Sequence, residues 1–313
     1  MINLNNRRKS TMPGNPSIKQ FIPFIIILFC LLLAVRNPAI AANYYVDIVN
    51  GCDAAGGPCA VAGDGSESAP WKTLHYAVTN YTPSAADTLY VLPGTYKVGA
   101  NGESDTQLVV PANLTIIGQP MGVPLVDGTD STATNWLDNG FRFNSTSTGT
   151  SIQGLNIKNF SRGIGVYNSS PEILNNILTD NITGIFIEAT GTAASPMIIN
   201  NLIYEFTSGA MDYGITIRGI STGGTNNSGI YHNTIDGGTT DGIYLDRDGD
   251  PIIADIRYNN ITNFGGYGIN YVDTPVSTGS AVGYNNIYGN GTAYTINLDS
   301  GFASNNIFLD PGY

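Results

Sequence analysis

The 313-residue sequence predicts an all-β solenoid, a parallel β-helix in which short coils stack on one another. The main observation is a repeated motif, here called the Asn motif, in which two residues, usually Asn-Asn, precede Ile or Leu. Its seven copies end at Ile157, Ile177, Leu202, Ile235, Ile261, Ile287 and Ile307, at spacings of 20, 25, 33, 26, 26 and 20 residues. A repeat of this length is typical of a solenoid, because one such unit cannot bury its apolar face alone.

A second motif, here called the Gly motif, predicts strands rather than helices. Gly or Thr precedes alternating apolar residues, and the six copies begin at Gly163, Gly184, Gly214, Gly242, Gly268 and Thr295. Such alternation is typical of strands, and the Gly-, Asn-, Thr- and Ser-rich connections lack the 3.6-residue period of helical repeats. We expect two or three short strands per coil, with these aliphatic residues inside: Ile164, Val166, Ile185, Ile187, Ile215, Ile217, Ile243 and Leu245.

The repeated asparagines predict a hydrogen-bonded column. Coils stack roughly 4.8 Å apart, so that equal positions lie above one another and each amide can bond to the next. Asn also tolerates the left-handed backbone conformation that a sharp corner between sheets requires. We therefore expect a structural role for these asparagines, with the following Ile pointing inward.

The segment before the repeats has its own order of short motifs. It contains Tyr44-Tyr45-Val46, then Pro70-Trp71-Lys72-Thr73-Leu74 with Ala77, then Asp87-Thr88-Leu89-Tyr90-Val91 and Pro93-Gly94-Thr95-Tyr96. This order resembles the N-terminal cap of the right-handed parallel β-helix superfamily of pectin-lyase-like proteins. The resemblance implies a cap with a short helix and the first coil over residues 43–100, and repeat coils over 101–313, in one domain. Ala86 departs from the usual Gly of that pattern.

Residues 1–42 have the features of an export signal. Arg7, Arg8 and Lys9 precede an apolar run from Phe21 to Val35, and a small-residue cleavage site follows at 39–41. The alternative is an uncleaved membrane anchor, but this run of 15 residues falls short of the ~20 that span a bilayer. We expect a cleaved protein that is secreted, periplasmic or on the cell surface, and not in the membrane.

The exported chain is strongly acidic. The leader holds five of the 13 Lys and Arg residues and none of the 24 Asp and Glu residues, which leaves a net charge of about −16. Nucleic acid is excluded as a partner, because phosphate binding needs a basic patch. The same charge would repel polyuronate at low salt unless metal ions bridged the two.

Cys52 and Cys59 are the cysteines that remain after removal of the leader. Two cysteines seven residues apart in a Gly- and Pro-rich loop of an exported chain predict one local disulfide. A metal site there would find only Asp53 and Asp64 as further ligands.

Alignment of the Gly motifs predicts two outward columns on one sheet. Aromatic rings, which stack on sugar rings, lie there beside charged residues. From the first column we expect Phe186, Thr216, Tyr244 and Asn270 to bind substrate. The first column is Gly165, Phe186, Thr216, Tyr244, Asn270 and Asn297, and the second is Tyr167, Glu188, Arg218, Asp246, Val272 and Asp299.

Glu188, Arg218 and Asp246 lie on three successive coils and are the candidate catalytic residues. Glu188 and Asp246 would be roughly 9.6 Å apart, near the upper end of the ~6.5–9.5 Å of an inverting glycoside hydrolase. Alternatively, Arg218 is the base of a polysaccharide lyase. Charge compensation along the stack also explains an acid, a base and an acid on neighbouring coils, with ~0–1 kcal/mol per exposed pair, and we favour this interpretation.

Asp246, Asp248 and Asp250 flank a Gly turn and are candidate calcium ligands, because Ca²⁺ prefers oxygen donors. An EF-hand is excluded, since Gly249 is the fourth residue of this stretch and Arg257 the twelfth. The alternative is a plain Asp/Gly turn. Calcium is the one cofactor that the sequence indicates.

No complete catalytic motif of the pectin-lyase-like enzymes is present. The Asn233-Thr234-Ile235-Asp236 stretch superficially matches one polygalacturonase motif, and neither His75 nor His232 lies in a family signature. We therefore expect an exported protein that binds a polysaccharide or cell-surface glycan along the outward sheet, with lyase or hydrolase activity unsupported. The alternative is a non-catalytic surface or adhesion protein. An uncovered last coil would expose strand edges, which predicts end-to-end association.

Overall fold

Short strands separated by tight turns occupy the solenoid from the cap to the last coil. The computed structural model describes residues 40–56, 59–81, 86–99, 103, 107–129, 139–220, 223–272, 279–295 and 303–312. The predicted leader lies outside these residues apart from its last three positions, as do Asn297 and Asp299 of the predicted columns. The chain from Ala41 to Tyr313 forms one compact unit.

One helix, α1 (Leu74–Asn80), and 26 strands lie in the described part of the chain. The cap and early coils contain β1 (Asn43–Val46), β2 (Asp87–Val91), β3 (Thr95–Lys97), β4 (Leu108–Val109), β5 (Leu114–Gly118), β6 (Leu125–Asp127), β7 (Asn139–Phe143), β8 (Ser151–Gln153) and β9 (Asn156–Lys158). The middle coils contain β10 (Arg162–Tyr167), β11 (Glu172–Leu174), β12 (Ile177–Thr179), β13 (Thr183–Thr190), β14 (Met197–Ile199), β15 (Leu202–Tyr204), β16 (Tyr213–Ile220), β17 (Asn226–Tyr231) and β18 (Thr234–Gly238). The last coils contain β19 (Asp241–Asp246), β20 (Ile252–Arg257), β21 (Asn260–Phe264), β22 (Tyr267–Tyr271), β23 (Ala281–Gly283), β24 (Asn286–Tyr288), β25 (Thr292–Tyr294) and β26 (Ala303–Ser304).

The strands form three sheets, and from β2 onward the chain visits the sheets in rotation. The first sheet has the order β1-β2-β5-β8-β11-β14-β17-β20-β23-β26, the second β24-β21-β18-β15-β12-β9-β6-β3, and the third β25-β22-β19-β16-β13-β10-β7-β4. Neighbouring strands are parallel, as in the pairs of β13 with β10 and with β16. The predicted parallel β-helix is therefore confirmed.

The inside of the solenoid is a dry aliphatic column. Ile164, Ile185, Ile215, Ile243 and Ile269 pair in register along the third sheet, and each is fully buried. Burial of one such side chain contributes about 1.5–3 kcal/mol. The stacked isoleucines thus hold successive coils together and fix the register of the outward residues.

The predicted inward positions of the Asn motif are wrong in three copies. Ile177 pairs with Leu202 on the outward face of the second sheet, and Leu202 and Ile307 are 37% and 51% exposed. In the copies that end at Ile177 and Leu202, the inward residue is instead the next one, Leu178 or Ile203, and both are fully buried. A shift of one residue along a strand exchanges its two faces, which explains the error.

A column of asparagine amides runs along the corner between the first and second sheets. Each side-chain amide donates to the Oδ1 atom of the next asparagine at 3.0–3.1 Å, and each backbone N–H donates to the same oxygen at 2.9 Å. The members are Asn176, Asn201, Asn233, Asn259, Asn285 and Asn306.

The left-handed corner residue is not the bonded asparagine but the residue before it. These corner residues have φ between +55° and +60° and are Asn175, Asn200, His232, Tyr258, Tyr284 and Asn305. Where rings replace Asn they stack, with centroids 5.1 Å apart for His232 and Tyr258 and 5.3 Å apart for Tyr258 and Tyr284. Stacking of this kind offsets part of the cost of the left-handed conformation.

The cap contains the predicted short helix. Thr73 is the N-cap of α1, and its hydroxyl accepts the N–H of Tyr76. The buried Glu103 carboxylate accepts the N–H groups of Leu74 and His75 at 2.5 and 3.1 Å, at the positive end of the helix. Burial nevertheless raises the pKa of Glu103 to about 7.

Cys52 and Cys59 form a disulfide in the loop before α1. The loop it closes contains Asp53, whose carboxylate accepts the N–H of Lys72 at 2.7 Å and the hydroxyl of Thr73 at 2.6 Å. The loop is therefore tied directly to the start of the helix. In the described part of the chain, no helix has the length and apolar character needed to cross a membrane.

Candidate functional site

The outward face of the third sheet has the two columns that the Gly motif predicted. Phe186 pairs with Thr216, and Thr216 with Tyr244. Glu188, Arg218 and Asp246 form the parallel column two residues further along each strand. Sequence reasoning missed a third column, at the residues that precede each Gly: Asn139, Arg162, Thr183, Tyr213 and Asp241.

Close packing of the coils explains both the Gly motif and the missed column. A Cβ atom on Gly184 or Gly214 would lie 2.6 Å from the carbonyl oxygen of the next coil. Only glycine fits at such an approach, so the residue before it turns its side chain outward. The position before each Gly was the available signal in the sequence.

A groove of about 280 Å³ crosses this face from the start of β10 to the second half of β19. Its walls combine aromatic rings with groups that can donate or accept hydrogen bonds. The lining residues are Ser161, Arg162, Ile182, Thr183, Phe186, Asp212, Tyr213, Thr216, Arg218, Tyr244 and Asp246. Five of the seven predicted catalytic and substrate-binding residues line this groove, whereas Glu188 and Asn270 do not.

Phe186 does not offer an open ring face, contrary to the prediction. Its side chain is only 6% exposed. The Arg162 guanidinium lies 3.6 Å from the ring centroid, and the Tyr167 ring packs 5.8 Å away. Phe186 thus supports Arg162 at the edge of the groove rather than meeting a ligand face to face.

Tyr213 and Tyr244 supply the accessible aromatic surface of the groove. Their ring centroids are 5.2 Å apart with an angle of 45° between the planes. Burial and the neighbouring Asp241 and Asp212 carboxylates raise the pKa of Tyr213. Its hydroxyl therefore stays protonated at neutral pH and can donate a hydrogen bond.

The candidate catalytic residues form a partly compensated charge column. The Arg218 guanidinium lies 3.8 Å from the Asp246 carboxylate and 3.2 Å from that of Asp248. On the preceding coil, Glu188 forms no ion pair with another described residue. Arg218 therefore lies beside two carboxylates, which is the arrangement that charge compensation along the stack predicts.

Asn270 does not line the groove and is hydrogen-bonded within the sheet. Its side-chain amide donates to the buried Asp241 carboxylate at 2.9 Å, and the same carboxylate accepts the N–H of Tyr267 at 2.7 Å. The predicted substrate contact at Asn270 stays a prediction.

The three predicted calcium ligands do not share one site, because Asp250 has different partners from Asp246 and Asp248. Asp246 and Asp248 face Arg218, whereas the buried Asp250 carboxylate accepts the N–H groups of Gly223 and Gly224 at 3.0–3.2 Å. Among the described residues, no group of three or more His, Cys, Asp or Glu side chains is placed to hold a metal ion. Calcium binding would require these carboxylates to reorient, and it stays a prediction.

The comparisons with known proteins agree with this architecture. The profile of a family described as "Right handed beta helix region" matches residues 139–309, which is more than half of the chain. No curated protein sequence matches at a significant level.

Solved structures similar to this chain include three carbohydrate-active proteins. Pectate lyase Pel9A has 13% identity and a TM-score of 0.45, over 85% of this chain and 79% of that chain. A rhamnogalacturonan lyase has 15% identity and a TM-score of 0.39, over 85% and 65%. A periplasmic alginate epimerase, AlgG, has 13% identity and a TM-score of 0.28, over 72% and 78%.

Proposed function

Because the chain belongs to the right-handed β-helix family, its outward residues repeat at fixed intervals, and on this premise we propose that the groove on the third sheet binds a carbohydrate chain. The observation that carries the proposal is the Tyr213 and Tyr244 pair beside charged groups in one groove. Rings stack on the apolar faces of sugars, while carboxylates and guanidinium groups bond to hydroxyls.

The dimensions of the groove fit an extended oligosaccharide. It crosses the four strands β10, β13, β16 and β19. At about 4.8 Å between strands this gives roughly 14 Å along the solenoid axis. A chain that lies along the axis would meet a new set of side chains at each coil.

The ion pairs in the groove favour carbohydrate binding without catalysis. The pairing of Arg218 with Asp246 and Asp248 is the arrangement expected from charge compensation. Catalysis by Glu188, Arg218 and Asp246 stays a prediction. A lyase would generate unsaturated products that absorb in the ultraviolet, and a hydrolase would generate new reducing ends.

The proposed setting is outside the cytoplasm. The apolar run and cleavage site in residues 1–42 support export to the periplasm, the cell surface or the medium. The partner is then a polysaccharide or a cell-surface glycan. A structural or adhesive protein remains the alternative, and end-to-end association through the last coil stays a prediction.

The test compares two tyrosines on different faces. Tyr244→Ala removes a ring from the groove and should weaken glycan binding about five- to tenfold, measured by calorimetry with ligands chosen from a glycan array. Tyr288→Ala is the control, because Tyr288 is 38% exposed on the second sheet. Tyr204 is a poorer control, since it lines a separate hollow of about 200 Å³.

Two results would count against the proposal. Equal effects of the two substitutions would refute this groove as the site. An array without any bound glycan, together with no turnover of uronate or neutral polysaccharides, would favour the structural alternative.

A further inference from the structure

One end of the groove is basic. Arg162 lines the groove, and Arg142 lies on the preceding strand of the same face. The guanidinium carbons of Arg142 and Arg162 are 4.4 and 6.0 Å from the centroid of the Tyr167 ring. Two positive charges therefore share one aromatic ring at this end.

Neither of these two arginines has a carboxylate partner among the described residues, unlike Arg218 and Arg257. Arg142 donates to the side-chain oxygen of Gln107 at 3.1 Å, and Arg162 donates to the Tyr167 hydroxyl at 2.5 Å. Neither acceptor is a carboxylate. The exported chain has 24 acidic but only eight basic residues, so a pair of guanidinium groups without a nearby carboxylate is unexpected on composition alone.

The floor of the groove supplies a second, independent observation. Thr216 is only 7% exposed, and its hydroxyl has no hydrogen-bond partner among the described residues. Buried polar groups are nearly always paired in folded proteins. The Thr216 hydroxyl lies just below the surface of the groove, and a small shift of the floor would be needed before a ligand or an ordered water could bond to it.

Building on the proposed function, we infer that the groove is specific for an acidic glycan, with an oxyanion substituent of the sugar against Arg162 and Arg142. Uronate carboxylates and sulfate esters share this chemistry, because guanidinium groups bind planar or multi-oxygen anions through paired N–H donors. The opposite end contains Asp246, which repels such a group. The charge gradient would therefore fix the position of the acidic sugar along the groove.

The test uses three oligosaccharides of equal length, one neutral, one uronate and one sulfated, titrated by calorimetry. Arg162→Gln should weaken binding of the acidic ligand about tenfold and leave the neutral ligand unchanged. Arg162→Lys keeps the charge and should retain most of the affinity. Arg257→Gln is the matched control, because Arg257 pairs with Asp255 at 2.5 Å on the first sheet.

The outcomes separate this inference from the proposed function. Preference for either acidic ligand, lost in Arg162→Gln, supports the inference, and the two acidic arms tell carboxylate from sulfate. Equal binding of neutral and acidic ligands, or an equal loss of both in Arg162→Gln, overturns the inference but leaves carbohydrate binding in place. No binding of any of the three by the unmodified protein overturns both.

Discussion

The asparagine column makes a strong prediction about stability. Asn233 lies in the middle of it, and Asn233→Ala removes four hydrogen bonds. The amide donates to the carbonyl of Ile198 at 2.9 Å and to Oδ1 of Asn259 at 3.0 Å. Its own Oδ1 accepts the backbone N–H of Asn201 at 2.9 Å and the side-chain amide of Asn201 at 3.0 Å.

The size of the stability loss depends on which groups still have a hydrogen-bond partner in Asn233→Ala. The Asn201 side-chain amide keeps its bonds to the carbonyls of Ile173 and Ile199, and Oδ1 of Asn259 keeps the N–H of residue 233. The buried Asn201 backbone N–H loses its acceptor, at a cost of about 1–3 kcal/mol, and each of the other bonds contributes about 0.5–1.5 kcal/mol. We expect a loss of about 4 kcal/mol in the free energy of unfolding.

Urea denaturation followed by circular dichroism measures this loss. The matched control is Asn227→Ala, because Asn227 lies on β17 with an exposed side chain; it should change stability by less than about 0.5 kcal/mol. Coils of a solenoid can unfold separately, so amide hydrogen exchange near Asn201 provides a local measure. A loss below about 1 kcal/mol for Asn233→Ala, or equal losses for both variants, would refute the reasoning.

Two further predictions concern pH and calcium. Because the pKa of Glu103 is raised to about 7 from its ordinary 4.5, the stability it contributes is present below pH 4.5 and lost as the pH rises through 7; the free energy of unfolding should fall by about 3 kcal/mol between pH 5 and 8. In thermal melts, Glu103→Gln should flatten this pH dependence of stability, whereas substitution of the exposed Glu172 by Gln should not change it. An unchanged pH dependence in Glu103→Gln would contradict this prediction. If calcium binds at Asp246, Asp248 and Asp250, the ion should raise the melting temperature and Asp248→Ala should abolish the rise; no rise in the unmodified protein would exclude the site.

The sequence predicted the third sheet better than the second, and the local motifs explain why. On the third sheet, the position that precedes Ile185 or Ile215 accepts only glycine, because a Cβ there would clash with the next coil. The register of the outward columns was therefore fixed by sequence alone. Phe186 shows the limit of this reasoning, since its burial depends on Arg162, a residue from the previous coil.

The Asn motif was ambiguous by one residue. The structure shows a four-position pattern of corner, bonded asparagine, outward residue and inward residue. In Asn175-Asn176-Ile177-Leu178 the corner is also Asn, whereas in Tyr258-Asn259-Asn260-Ile261 the outward residue is Asn. Both read as Asn-Asn-Ile, but the Ile points in opposite directions. Only the corner conformation, which Tyr can also adopt when its ring stacks, distinguishes the two.

Strand length explains why a groove of this width forms on the third sheet. Its strands β13 and β16 have eight residues each, whereas β12 and β15 of the second sheet have three. At about 3.3 Å per residue these lengths are roughly 26 and 10 Å. Alternation then gives the longer strands at least three outward columns side by side, and the shorter ones at most two. A ligand that lies along the axis can touch rings, a floor and a charged edge together only where three columns meet, as they do at the proposed groove on β13 and β16.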